Sequence, residues 1–208
     1  MQVAGIILAG GQSRRMQGRD KALMTFGDGR LIDTIHRRLS RQVQTIALNS
    51  NSDGAQFSGL DVPVIPDDIG GFAGPLAGIL AAMEWAAARP ALFSHIVTVA
   101  TDTPYFPDDL VETLRQSIAA APEHIGVAAS GGRLHPVFGI WPVSLRGNLR
   151  DWLNDERNRR VVSWIETHPH EIADFPMVMT QSGLPFDPFF NINTPEDAVE
   201  ARQKWTFP

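Results

Sequence analysis

The run Val3–Leu8 is almost continuously apolar and stops at Ala9-Gly10-Gly11. A strand with no polar face must be covered on both sides, a requirement met by parallel sheets carrying helices on each face. The same pattern recurs along the chain. Thr45–Leu48, Val62–Ile65, Ser94–Ala100 and Ile125–Ala129 have the length and composition of buried strands. Between them, Leu31, Ile32, Ile35 and Leu39 fall at helical spacing, Pro75 suits the first position of a helix running on through Leu76–Ala88, and Pro107-Asp108-Asp109 opens another with its acids in the first turn. This β-α-β alternation predicts an α/β protein built on an open, mostly parallel sheet.

The alternation loosens after residue 130. Gly131-Gly132 reads as a hairpin turn into Val137–Trp141, an antiparallel addition to the sheet. Leu145–Leu153 and Val161–Thr167 are predicted helices, and Thr194-Pro195-Glu196-Asp197 has the order of a helix start: a capping threonine, proline, then acids. No composition break or repeat divides the sequence, so residues 1–208 are expected to form a single domain.

Composition removes several classes of function. Hydrophobic residues at 43% exclude intrinsic disorder, and no apolar run approaches the roughly 20 residues that span a bilayer. The first residues carry neither a basic stretch nor a long apolar one, so no signal peptide is expected. With no cysteine, disulfides and thiolate chemistry are excluded, which fits a cytoplasmic location. No G-x-S-x-G elbow supports a nucleophilic serine. A net charge of −5 argues against a nucleic-acid binder. Residues 1–50 nevertheless hold eight bases and three acids, a surplus beside the glycine cluster that a small anion could use. Arg37, Arg38 and Arg41 are set aside from it as a solvated helix face.

After the first strand comes Gly10-Gly11-Gln12-Ser13-Arg14-Arg15-Met16-Gln17-Gly18-Arg19-Asp20-Lys21. Glycines at the carboxyl end of a strand let backbone N–H groups face phosphate oxygens, and ligands of open α/β sheets bind at that edge. The loop is neither G-x-G-x-x-G nor a P-loop. Lys21 is informative because the chain has sixteen arginines and only two lysines, so a compact point charge at this place reads as a phosphate contact. Asp102 directly follows an apolar strand at the same edge. Beside a triphosphate it is a natural Mg²⁺ ligand; alone, before Thr103-Pro104, it would read as a turn or cap. Asp67 and Asp68 end one strand and Asn49 and Asn51 another. Gly70-Gly71-Phe72-Ala73-Gly74-Pro75-Leu76-Ala77-Gly78 places glycines before a helix N-terminus, where anions bind, although Gly78 is equally explained by close packing. His135-Pro136 reads as a turn histidine and Asn191-Ile192-Asn193-Thr194 as a helix cap, either of which could line an acceptor site. His168-Pro169-His170 is left unassigned as surface.

Taken in order, Leu8-Ala9-Gly10-Gly11, Arg15-Met16, Gly18, Asp20-Lys21, Gly74-Pro75-Leu76-Ala77-Gly78, Thr101-Asp102-Thr103-Pro104, His135-Pro136 and Asn191-Ile192-Asn193-Thr194-Pro195 resemble the signature of the molybdenum cofactor guanylyltransferases. The resemblance implies a three-layer, Rossmann-like nucleotidyltransferase fold. It also implies transfer of GMP from Mg-GTP to the phosphate of molybdopterin or molybdenum-molybdopterin, with release of pyrophosphate. Carried over, Leu8, Ala9, Gly10, Gly11 and Lys21 bind GTP, with Asn49 and Asp67 on its nucleoside side. Asp102 contacts the nucleotide and holds Mg²⁺. Gly74, Gly78, Asn191 and Asn193 belong to the molybdopterin side, and Lys21, Arg15 and Asp102 supply the catalytic charge. Two positions depart from the pattern: Gln17, where a second glycine is frequent, and Thr101, where cysteine is.

Related nucleotidyltransferases are the first alternative. Cytidylyl enzymes read Leu-Ala-Ala-Gly where this chain has Leu8-Ala9-Gly10-Gly11, and sugar-phosphate enzymes have a longer loop with a proline before the lysine. A non-catalytic nucleotide-binding module could dispense with Asp102, and a nicotinamide oxidoreductase would need the missing fingerprint. The expected partners are therefore GTP and molybdopterin, with other cofactor-biosynthesis proteins and molybdoenzyme chaperones beyond them. Neither nucleic acid nor membrane is expected, and the chain is expected to be a monomer.

Overall fold

The computed structural model describes residues 1–9, 21–69, 74–89, 92–180 and 182–204. In chain order the elements are β1 (Val3–Leu8), β2 (Thr25–Phe26), β3 (Gly29–Arg30), α1 (Leu31–Leu39), β4 (Ile46–Asn49), β5 (Val64–Ile65), α2 (Pro75–Ala87), β6 (His95–Ala100) and α3 (Leu110–Ser117). They continue with β7 (Ile125–Ser130), β8 (Arg133–Pro142), α4 (Arg146–Leu153), α5 (Val161–Ile165), β9 (His170–Phe175), β10 (Val178–Met179), β11 (Pro185–Phe186) and α6 (Pro195–Lys204).

Seven strands form one sheet in the order β5-β4-β1-β6-β8-β7-β9. All neighbours run parallel except at β8, which is antiparallel to both β6 and β7. The side chains of β1 alternate between two cores. Ala4, Ile6 and Leu8 pack with α2, α4 and α5, whereas Ile7 packs with α1 and α3 on the opposite face. The result is the three-layer α/β arrangement that the alternation predicts. Helix α2 is buried almost all round, from Leu76 to Met83 and at Ala86, because α4 and the turn Val143–Leu145 before it pack on α2 as well as the sheet. A third cluster, with Phe26, Leu31, Tyr105, Phe186, Ile192, Ala198 and Ala201, joins the β2–β3 hairpin to α6. Among the described residues no helix is long and apolar enough to cross a membrane.

The structure corrects several details of the sequence reading. Helix α3 begins at Leu110, because the Leu110 amide closes a turn onto the Pro107 carbonyl, so Asp108 and Asp109 precede the helix. Arg38 is buried rather than solvated: its guanidinium bonds the Phe106 carbonyl, pairs with Asp108 at 3.1 Å and lies over the Phe106 ring. Strand β8 starts at Arg133, so His135 is a strand residue and not part of the Gly131-Gly132 turn. That turn is as expected, with φ of 53° and 77° at its two glycines. His170 opens β9, an edge strand half of whose side chains face solvent.

Candidate active site

The carboxyl ends of β5, β4, β1 and β6 lie side by side. Leu8 is level with Asn49 on one side and Ala100 on the other, and Asn49 is level with Ile65. The ladder runs past the strands, with the Ala9 amide on the Asn49 carbonyl at 2.9 Å. From Ile65 to Ala100 the edge covers three strand spacings, roughly 14 Å. Sequence-predicted residues thus stand in a row: Asp67, Asn49, Leu8 with Ala9, then Asp102.

At one end, two amides fix the Asp67 carboxylate. Asn49 Nδ2 donates to Asp67 Oδ1 at 2.8 Å and Asn51 Nδ2 to Oδ2 at 2.8 Å, while the Asp67 amide returns a bond to Asn51 Oδ1 at 2.7 Å. Asn49 is buried and also donates to the Ile65 carbonyl. Its job is to aim Asp67. Gly78, on α2, lies beneath it: a Cβ there would come within 2.2 Å of Asn49 Oδ1. The close packing that the sequence offers for Gly78 is thus against Asn49 and, at 3.0 Å, Leu8 Cδ2. Gly74 caps α2 with φ of 67°, a conformation that favours glycine, with Pro75 at the next position.

At the other end, Lys21 Nζ lies 3.4 Å from Asp102 Oδ2 and 2.9 Å from Asn193 Oδ1. The Thr103 hydroxyl donates to Asn191 Oδ1 at 2.7 Å and lies 3.2 Å from Asp102 Oδ1, and the Ile192 amide donates to the Asp102 carbonyl at 2.7 Å. Asp102 stands in a turn, as it would without a ligand, but Pro104, two residues on, has no N–H to offer its carboxylate. Asn193 is likewise not spent as a cap. Thr194 Oγ1 and Asp197 Oδ2 close the start of α6, Asp197 accepting the Asn193 and Thr194 amides. The Asp102 carboxylate is one-third exposed and keeps lone pairs that Lys21 and Thr103 do not use, so it fits a hard cation whose other ligands come from substrate and water. Among the described residues no cluster of three or more metal-ligating side chains competes with it.

Gly10, Gly11 and Arg15 lie outside the described residues, as do Gln17 and Gly70–Ala73.

One constellation has almost no signature in the sequence. His135 Nε2 is 2.7 Å from Ser130 Oγ, which donates to Asp187 Oδ1 at 2.7 Å, and the imidazole stacks on Phe189 at 4.3 Å. Burial pushes the imidazole below its ordinary pKa, Asp187 opposing. Serine and aspartate both sit on the Nε2 side of the ring, so this is no hydrolytic triad. The His135-Pro136 pair was the only sequence signal for it.

Residues 5–171 match the family described as "MobA-like NTP transferase domain". A molybdenum cofactor guanylyltransferase of Mesorhizobium japonicum is 48% identical over 199 residues, covering 96% of this chain and 94% of the relative. The chain belongs to the molybdenum cofactor guanylyltransferase family. It is a nucleotidyltransferase, as the ordered motifs imply. Solved structures agree on the fold. Molybdopterin-guanine dinucleotide biosynthesis protein A from Archaeoglobus fulgidus superposes with a TM-score of 0.68 at 22% identity, covering 95% of this chain and 96% of its own. The manganese complex of Rv0371C from Mycobacterium tuberculosis gives 0.62 at 19% identity, covering 96% and 97%.

Proposed function

We propose that this guanylyltransferase transfers GMP from Mg-GTP to the phosphate of molybdopterin, with residues 1–208 acting as one nucleotidyltransferase domain. An acceptor phosphate oxygen attacks the α-phosphorus, the bond from that phosphorus to the bridging oxygen breaks, and pyrophosphate leaves with the electron pair. The acceptor is already ionised near neutral pH, so no general base is required. The observation that carries the reading is the meeting of Lys21, Asp102 and Asn193 at one end of a strand-edge row whose other end is Asp67.

Leu8, Ala9, Gly10 and Gly11 bind GTP, and Asn49 holds Asp67 to the nucleoside. Lys21 and Arg15 neutralise charge that grows on the α-phosphate and the departing pyrophosphate. Asp102 would hold Mg²⁺, which would offset the same charge when bound; a manganese complex of a structural neighbour is consistent with a divalent ion in this fold. Thr103 and Asn191 hold the Asp102 segment against the loop that carries Asn193. Gly74 and the two asparagines form the molybdopterin side.

The test is pyrophosphate release from GTP, CTP, ATP and UTP, with Mg²⁺ and molybdopterin as acceptor. Release with GTP alone, lost in Asp102→Ala, is the expected result. Release with CTP overturns the base assignment, and tight GTP binding with no release from any nucleotide overturns the catalytic one.

A further inference from the structure

Strand β8 is irregular at one place. Val127 of β7 is level with Gly139, yet the next residue, Ala128, is level with His135, so Pro136, Val137 and Phe138 bulge out of the β7–β8 ladder. Pro136 has no N–H for that ladder, and the Thr98 hydroxyl takes the Val137 carbonyl at 2.5 Å instead. Bulges of this kind re-aim side chains. Here the bulge adjoins His135, which meets Ser130 at the end of β7.

The protons of this contact can be assigned from its partners. The single hydroxyl proton of Ser130 goes to Asp187, so His135 Nε2–H must be the donor to Ser130 Oγ. Asp187 Oδ1 accepts the Phe189 amide as well, at 2.8 Å. Ser130 is 1% exposed and the His135 side chain 10%, so these two are shielded from water, while the Asp187 side chain, 27% exposed, reaches it. It ties down the start of the segment 187–193, which is neither helix nor strand. The far end of that segment is tied to the active-site row: Asn191 to Thr103, the Ile192 amide to Asp102, and Asn193 to Lys21.

We infer that Ser130, His135 and Asp187 are positioning residues for nucleotidyl transfer: their relay anchors segment 187–193 so that Asn191 and Asn193 hold Thr103 and Lys21 in register with Asp102. The inference rests on the active-site reading of Lys21 and Asp102. None of the three touches the reacting phosphates. They act through the segment, and a small displacement of Lys21 is enough to slow a reaction that depends on charge placed at the α-phosphate.

The experiment compares Ser130→Ala, Asp187→Ala and Asp187→Asn with the parent by steady-state pyrophosphate release, with thermal melts to measure folded protein. Ser130→Ala and Asp187→Ala are expected to lower kcat by about 10- to 100-fold per folded molecule, with KM for GTP little changed. Asp187→Asn keeps an oxygen that accepts from Ser130 and Phe189, and is expected to recover most of the loss. Unchanged kcat in Ser130→Ala overturns the inference. So does a loss that only follows the fraction folded, or an Asp187→Asn as slow as Asp187→Ala. If Asp187→Ala does not fold, Ser130→Ala decides. Asp102→Ala and Lys21→Ala run alongside: activity in those two overturns the site reading itself, whereas their loss beside an active Ser130→Ala overturns this inference alone.

Discussion

Asn193 Oδ1 accepts a hydrogen bond from Lys21 Nζ at 2.9 Å, across 172 residues of sequence. The lysine opens the single helical turn Lys21–Leu23, and the asparagine stands just before the last helix. The bond settles where the ammonium points, between Asn193 and Asp102. Lys21→Ala is therefore expected to lower kcat by about 10²- to 10³-fold, the scale of losing one preorganised charge at a developing anion. Asn193→Ala leaves the charge but not its aim, and about a tenfold loss is expected, the worth of a hydrogen bond to a charged group. Lys21→Arg will not restore the rate, because a planar fork does not replace a point charge here. Single-turnover pyrophosphate release measures all three, and near-normal turnover in Lys21→Ala at saturating GTP would remove the lysine from the mechanism.

Asp67 gives the corresponding experiment at the other end of the row, the end proposed to hold the nucleoside. With Asn49 on one oxygen and Asn51 on the other, its carboxylate is a fixed acceptor. Asp67→Asn exchanges an acceptor for a donor and is expected to raise KM for GTP about 10- to 100-fold while kcat moves less. Asn51→Ala, which removes only the outer support, should raise KM by a smaller factor. A fall in kcat at unchanged KM would place Asp67 with the phosphates instead.

Gly78→Ala tests the packing beneath Asn49. In a helix interior, alanine is favoured over glycine by about 1 kcal/mol. Here the added Cβ would lie 2.2 Å from Asn49 Oδ1 and 3.0 Å from Leu8 Cδ2. Asn49 cannot withdraw without giving up Ile65 and Asp67. The clash should win, destabilising the fold by about 1–3 kcal/mol and raising KM for GTP. A variant more stable than the parent in a urea melt would mean that Asn49 moves freely.

How far the site can be read from sequence follows from which contacts are local. Leu8, Asn49, Asp67 and Asp102 are legible because each ends an apolar run, and strand ends of one parallel sheet share an edge. That Asn49 holds the Asp67 carboxylate is not legible, because it depends on Ile65, Asp67 and the absence of a side chain at Gly78, in a helix 29 positions later. The Ser130–His135–Asp187 relay joins residues up to 57 apart through a bulge that no periodicity announces. Arg38 shows the same limit in the fold. Its spacing on α1 suggests solvent, and only the Phe106 carbonyl and Asp108, brought in by a turn far along the chain, explain its burial. The short β2–β3 and β10–β11 pairs, two residues per strand, carry too little pattern to be seen at all.

Stability should depend on pH through buried imidazoles. His95 is 6% exposed, donates from Nε2 to the Pro122 carbonyl at 2.7 Å and faces the Ser94 hydroxyl through Nδ1 at 2.9 Å, a set of partners that suits the neutral ring. Burial lowers its pKa, the Pro122 bond opposing, and burial also lowers that of His36. The unfolded chain, with imidazoles near pH 6.5, then binds more protons than the folded one as pH falls through that value. Stability is therefore fully present above about pH 6.5 and is lost progressively as pH drops towards the lower folded pKa values. The Asp33 carboxyl, held down by the Arg30 guanidinium, adds its own loss only in the more acidic carboxylate range. Urea melts between pH 8 and pH 5 measure the first effect. In His95→Gln the slope over that interval should flatten; an unchanged slope would assign the acid sensitivity to other groups.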